Sequence, residues 1–362
     1  MGKTIPWICE RAIREYIGLK NHASLFFITP DVNWSTDWDA YYITRELRQY
    51  GLPAQVSSTP HLLSGEILHY CDLGTFAHHI NQPWNRRNQI VMTIFHGNRC
   101  KRTPEFIPLI DKLLSHTYHL KTIVTSCNIM KNRLVEWGVN HDKIKCIPLG
   151  IDLDRFKPVS SDQKKKLREA LDIPPDAFCI GSFQKDGVGW EDGIEPKWVK
   201  GPDVFLRVIQ KLKQHNKLFI LLSAPARGYV IRGLQAMEIP YRHIPLKKYW
   251  DIVGLYQALD VYLVASREEG GPKALLEALA CGIPFVSTRV GMVPDVIIDN
   301  YNGLTAENED VEGLVESILK IKENAQLTDT LIKNGLLTIK DYQWSIIAQR
   351  YYNEVYAPLL MH

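Results

Sequence analysis

The sequence predicts an α/β protein made of two doubly wound halves. Short apolar runs of strand length recur along the chain, helical segments separate them, and a charged, proline-flanked stretch divides the runs into two sets. At 362 residues, with 45% hydrophobic and 23% charged, the chain is long enough for two core-bearing domains. Two such domains leave a cleft between them, where ligands commonly bind.

The first set comprises Leu25 to Ile28, Ile90 to Phe95 and Thr122 to Val124, whose apolar runs suit parallel strands covered on both faces. The second comprises Phe178 to Gly181, Leu218 to Leu222, Val261 to Val264 and Pro284 to Ser287. Between the sets, Asp162 to Glu169 reads as a charged surface helix after Pro158, ended by Pro174 and Pro175, so the boundary is placed near Phe156. Lys200-Gly201-Pro202-Asp203 opens a helix whose Val204, Phe205, Val208, Ile209 and Leu212 face the core. The stretch from Asp341 to Leu359, with Trp344, Tyr351, Tyr352 and Tyr356, also has helical spacing, and no internal repeat is present.

A net charge of +3 is too small for a nucleic-acid binder, although it leaves room for a basic patch against anionic lipid. Seven cysteines without C-x2-C spacing suit reduced thiols in the cytoplasm, where the sequon at Asn33 has no consequence. No apolar run reaches the ~18 residues of a membrane span, and the N-terminus does not read as a secretory signal. A soluble protein, or one peripheral at the inner face of a membrane, is expected.

The most informative stretch is Ser266 to Gly282. Gly270, Gly271 and Pro272 stand where a strand hands over to a helix closed by Gly282, so unpaired amides and the helix dipole welcome a phosphate, and Lys273 adds a positive charge. Glycines there let a ligand approach the backbone. Glu277 is the odd residue of an apolar helix and needs a donor, which a ribose diol would supply. Glu269 stands at the rim, where a carboxylate accepts sugar hydroxyls. Alternatively Glu269 caps the helix and Glu277 pairs with a basic residue. Lys200 occupies a second helix start, and His96, with Arg99 after it, leaves a strand at the carboxyl edge of the sheet.

Gly187-Val188-Gly189-Trp190 has the look of a dinucleotide fingerprint, but Pro196 interrupts it and no helix follows at once. A flexible loop over phosphates, anchored by Trp190 or Trp198, fits better. Trp34 and Trp38 could stack on sugar faces, or pack on a helix capped by Asp37. Two D-x-D patterns, at Asp37 and Asp152, and the histidines, including His116 and His119, lack a convincing metal-site context, so no metal is expected.

Ser266 to Val290 resembles the E-x7-E signature of retaining glycosyltransferases with the GT-B fold, the large family-four group. Val124-Thr125-Ser126 and Lys143 to Pro158 are similar to the end of that family's N-terminal domain, and the likeness spans about Ile90 to Tyr356. It implies two Rossmann-like domains with an interdomain cleft: residues 1–155 on the acceptor side, 156–340 binding a nucleotide-sugar donor, and a helix at 341–362 crossing back. It also implies metal-independent transfer to a carbohydrate, lipid-linked or small-molecule acceptor, with no cofactor. Lys200 would clamp the donor diphosphate, Glu277 would hold ribose, Glu269 and His96 would position the sugar, and Arg99 would lie near phosphate. The chain departs from the pattern at Ser182, where the resembling enzymes carry a phosphate-binding arginine, so Lys185 becomes the substitute. Epimerisation of a sugar nucleotide, or an inactive partner role in glycan assembly, are the alternatives.

Overall fold

A computed structural model describes residues 24–30, 35–215 and 217–361. The sequon asparagine Asn33 and Trp34 lie outside the described residues. The first six-stranded sheet contains β1 (Leu25–Ile28), β2 (Ala54–Ser57), β3 (Ile67–Tyr70), β4 (Gln89–Thr93), β5 (Leu120–Thr125) and β6 (Ile144–Cys146), in the order β2-β1-β3-β4-β5-β6. The second contains β7 (Phe178–Ser182), β8 (Leu218–Leu222), β9 (Tyr241–His243), β10 (Val261–Val264), β11 (Phe285–Thr288) and β12 (Leu304–Ala306), in the order β12-β11-β10-β7-β8-β9. Every pairing between neighbouring strands is parallel.

Each apolar run named from sequence falls on a strand, with Ile94, Phe95 and Pro284 beyond the strand ends, while β2, β3, β6, β9 and β12 were not foreseen as strands. These five are three or four residues long and mix polar with apolar side chains, so they carry little periodic signal. In β3, buried His69 breaks the apolar run, yet its ring is satisfied by Tyr356 Oη and Thr93 Oγ1, each at 2.6 Å.

The order of the second sheet reverses between β7 and β10, which are paired through Tyr262 and Gly181. Loops leaving a doubly wound sheet on either side of such a reversal diverge and open a crevice at its carboxyl edge. Ser182 to Lys185 and Ser266 to Glu269 therefore face one crevice.

The two sheets share apolar packing: Leu149 and Phe156, which follow β6, belong to one buried cluster with Tyr256, Leu276 and Met292. The Trp344–Tyr351 helix packs on the Ser35–Gln49 helix of the first half, with the Trp344 ring stacked on Tyr42 at 5.3 Å. Arg350 donates to the Cys146 carbonyl at 2.8 Å. Gly150 is required there because a Cβ would stand 2.4 Å from the Trp344 ring.

Candidate functional site

Gly201 determines where Lys200 sits. Its φ is +60°, and a Cβ would fall 1.9 Å from the Ala265 carbonyl oxygen, so the turn before the Pro202–Leu212 helix presses directly on the end of β10. Lys200 Nζ then donates to both Glu269 carboxylate oxygens at 2.7 Å, and Ser266 Oγ donates to Glu269 Oε1 at 2.8 Å. Gln184, leaving β7, donates to the Lys200 carbonyl at 2.9 Å. Residues from three separate loops are thereby fixed in one crevice.

The crevice is rich in cations. Burial and the neighbouring Lys200 ammonium lower the Lys185 pKa, and burial, Lys200 and Lys185 lower that of Lys197. His96, packed edge-on against Phe106 at 5.2 Å, is pushed down to about 4, by burial first and then by Lys200, with Lys197 and Arg133 adding and Glu269 opposing. It is therefore neutral at physiological pH.

A histidine with a depressed folded pKa makes stability depend on acid. From pH about 6.5 down to about 4 the unfolded ring takes a proton that the folded ring refuses, so stability falls as pH falls. At about pH 5 the loss is about 2 kcal/mol relative to neutral pH. In urea titrations at both pH values, His96→Asn is expected to lose that much less than the wild type; equal losses would show that His96 titrates freely.

Contacts across the cleft surround the cation cluster. Glu268 Oε1 accepts hydrogen bonds from the Gly97 amide at 2.9 Å and Arg133 Nη1 at 3.0 Å, linking the loop after β10 to the first half. The guanidinium groups of Arg102 and Arg267 each lie over the Trp198 ring, at 5.3 and 5.2 Å. Lys273 pairs with Asp39 at 2.7 Å, and Trp38 stacks on Tyr249 at 5.5 Å.

The other residues named from sequence have the following neighbours. The glycine pair is tightly packed: a Cβ on Gly270 would lie 2.4 Å from the Phe95 carbonyl oxygen, and one on Gly271 would lie 2.8 Å from Leu149. Lys273 pairs with Asp39 and lies over the Tyr249 ring at 5.4 Å. Glu277 is buried and accepts from Tyr249 Oη and, at 2.7 Å, from Tyr256 Oη, and the Lys273 charge also favours its ionised form. Arg99 pairs with Asp111 at 2.8 Å. Ser182 is buried, its Oγ accepting from Arg227 Nη2 at 3.2 Å. Lys185 rests on the exposed Trp190 ring at 4.8 Å.

The 186–199 insertion is docked, not a loose cover. Val188 donates to the Glu195 carbonyl at 2.9 Å, and the Gly228 and Tyr229 amides donate to the Asp192 and Gly193 carbonyls at 2.6 and 2.9 Å. Trp198 is its anchor, and Trp190 lies exposed. Of the D-x-D residues, Asp39 is spent on Lys273, and Asp152 accepts from Tyr42 Oη and the Asp154 amide in a turn. Sequence reasoning missed Glu268, Arg133, Lys197 and Arg227. Only the adjacency of Glu268 and Lys197 to assigned residues could have pointed to them.

Residues 196–337 match the family model described as glycosyl transferases group 1. Among curated relatives, a D-inositol 3-phosphate glycosyltransferase of Saccharomonospora viridis is 26% identical over 61% of this chain and 52% of its own length. An N,N'-diacetylbacillosaminyl-diphospho-undecaprenol alpha-1,3-N-acetylgalactosaminyltransferase of Campylobacter jejuni is 29% identical over 59% of this chain and 54% of its own length. The chain thus spans about half the length of the curated relatives it matches. Among solved structures, Anabaena HepE in complex with UDP and glucose superposes with a TM-score of 0.75 over 93% of this chain and 100% of its own, at 14% identity. Sucrose-phosphate synthase from Thermosynechococcus elongatus gives 0.75 over 94% of this chain and 99% of its own, at 15% identity. With the two parallel sheets and the crevice between them, these likenesses establish that the chain carries a glycosyl transferases group 1 domain as the second half of a GT-B fold.

Proposed function

We propose that the protein is a retaining glycosyltransferase that moves a sugar from a nucleoside diphosphate donor to an acceptor hydroxyl without a metal. The observation that carries this reading is the convergence of Lys185, Lys197 and Lys200 at the strand-order reversal of the second sheet, beside Glu269. Such a cluster suits a leaving diphosphate, whose developing charge preorganised cations stabilise. The names of the relatives and the UDP complex of HepE support the same donor class.

In this reading Lys200 hands its charge from Glu269 to the diphosphate as the donor enters, freeing Glu269 to accept sugar hydroxyls. Neutral His96 faces the sugar from the first half. The bond between the anomeric carbon and the phosphate oxygen breaks as the acceptor oxygen bonds to that carbon on the same face. The departing phosphate takes the acceptor proton, so the sugar's configuration is retained. Glu277 holds the ribose once the Tyr249 hydroxyl gives way, while Tyr256 keeps its second oxygen in place. The acceptor is a carbohydrate, a lipid-linked glycan or a small molecule. Among the described residues no helix is long and apolar enough to cross a membrane, and we place the reaction in the cytoplasm, including the inner membrane face.

A mass-spectrometric screen of nucleotide sugars with pooled acceptors tests the reading, followed by NMR of the product. Transfer with the donor's anomeric configuration kept is the expected result. An inverted product would overturn retention, and a donor isomerised without acceptor would overturn transfer.

A further inference from the structure

Resting on that reading, we propose that Lys197, delivered by the 186–199 insertion, is the second cation that binds the donor diphosphate, and that the buried Arg227–Asp186 pair positions it.

Ser182 itself, at the end of β7, does not supply this charge. The Arg227 guanidinium fills the space behind that strand end: Nη1 donates to the Ser182 and Gln184 carbonyls at 2.8 and 2.6 Å, and Nη2 lies 3.1 Å from Asp186. Both members of the pair are fully buried, so Arg227 does not face the crevice and its charge is matched by Asp186. Ser182 is small because this guanidinium lies against it.

The pair instead fixes the insertion. The Asp186 carbonyl accepts from the Lys197 amide at 2.7 Å, so anchoring Asp186 anchors the backbone that carries Lys197. The far side is equally constrained, since a Cβ on Gly187 or Gly193 would lie 2.4 or 2.3 Å from Ala226 backbone atoms. The insertion carbonyls also take the Gly228 and Tyr229 amides, which open a helix at the carboxyl edge of β8. That helix start is therefore closed to an anion, and the task falls to side chains.

Among the described residues Lys197 forms no ion pair, although Glu269 and Glu105 act on its charge. Lys200 is held by Glu269, and Lys185 lies over the Trp190 ring. Lys197 is partly buried, and its electrostatic neighbours are Lys200, Lys185, the already paired Glu269, and Glu105. An ammonium held among cations gains most from an arriving dianion.

Calorimetry with UDP and with inorganic pyrophosphate, alongside melting curves, tests this on the wild type, Lys197→Met, Lys185→Met and Arg227→Lys. Lys197→Met should weaken both probes by about 10- to 100-fold at an unchanged melting temperature, as expected for a lost charged contact, and Lys185→Met by no more than about 3-fold. Arg227→Lys keeps the charge but not the planar fork, and should weaken both by about 3- to 10-fold. Added to Lys197→Met it should weaken them no further. Wild-type affinity in Lys197→Met overturns the proposal; additive losses in the double variant overturn the positioning role. Pyrophosphate binding that depends on Lys197, in a protein that turns over no nucleotide sugar, would remove the transferase reading and leave this one standing. A wild type that binds neither probe removes both.

Discussion

Replacing Lys200 with alanine should lower turnover of the donor by at least about 100-fold, the scale on which one preorganised stabiliser of a developing negative charge acts. The ammonium is held at the start of the Pro202–Leu212 helix and is already ordered by Glu269, so no reorganisation is needed when charge develops on the diphosphate. The structure adds a cost in stability that the sequence did not indicate. Glu269 is largely buried, and without Lys200 its carboxylate keeps, among the described residues, the Ser266 hydroxyl as its one hydrogen-bond donor, which should destabilise the fold by about 1–3 kcal/mol. Lys200→Ala combined with Glu269→Gln removes that unpaired charge and should recover most of the melting temperature while leaving turnover low. Turnover restored in the double variant would show that Lys200 serves only to neutralise Glu269.

Gly270→Ala is expected to have the second-largest effect and to separate activity from stability. The added methyl meets backbone, since the Phe95 carbonyl carbon and oxygen stand 2.6 and 2.4 Å from its place, and neither can swing aside as a side-chain end would. Because Phe95 belongs to the first half and Gly270 to the second, strain is relieved by moving the halves apart. Displacement of about 1 Å between groups that must meet in one transition state costs about 100-fold in rate. The melting temperature should fall less than activity, because the clusters confined to each half stay intact while only the shared cluster is loosened. The measurement is kcat beside a melting curve, and wild-type kcat would show that the Phe95–Gly270 contact has no part in catalytic geometry.

The fold was largely legible because parallel strands covered on both faces must be apolar, and Leu218 to Leu222 and Val261 to Val264 announce themselves with their exact strand bounds. Short strands such as β9, with half-buried Tyr241, Arg242 and His243, owe their pairing to a neighbour and carry no such pattern. Lys200 and Glu269 were legible as chemistry, since each stands beside a helix start. Their bond to one another was not, because it depends on Gly201 seating against Ala265.

Local sequence alone determined the two-sheet architecture and the helix starts beside Lys200 and Glu269, because strand burial and helix termini follow from periodicity and nearby side chains. Only the tertiary structure decided the partners: Tyr249 and Tyr256 for Glu277, Asp39 for Lys273, Phe95 for Gly270, and Arg227 behind Ser182. The physical reason is that a buried charge or a missing Cβ is answered by whatever the fold brings within a few ångströms. Here the answering groups lie 21 to 234 residues away along the chain for Tyr256 and Asp39, beyond the reach of any local pattern.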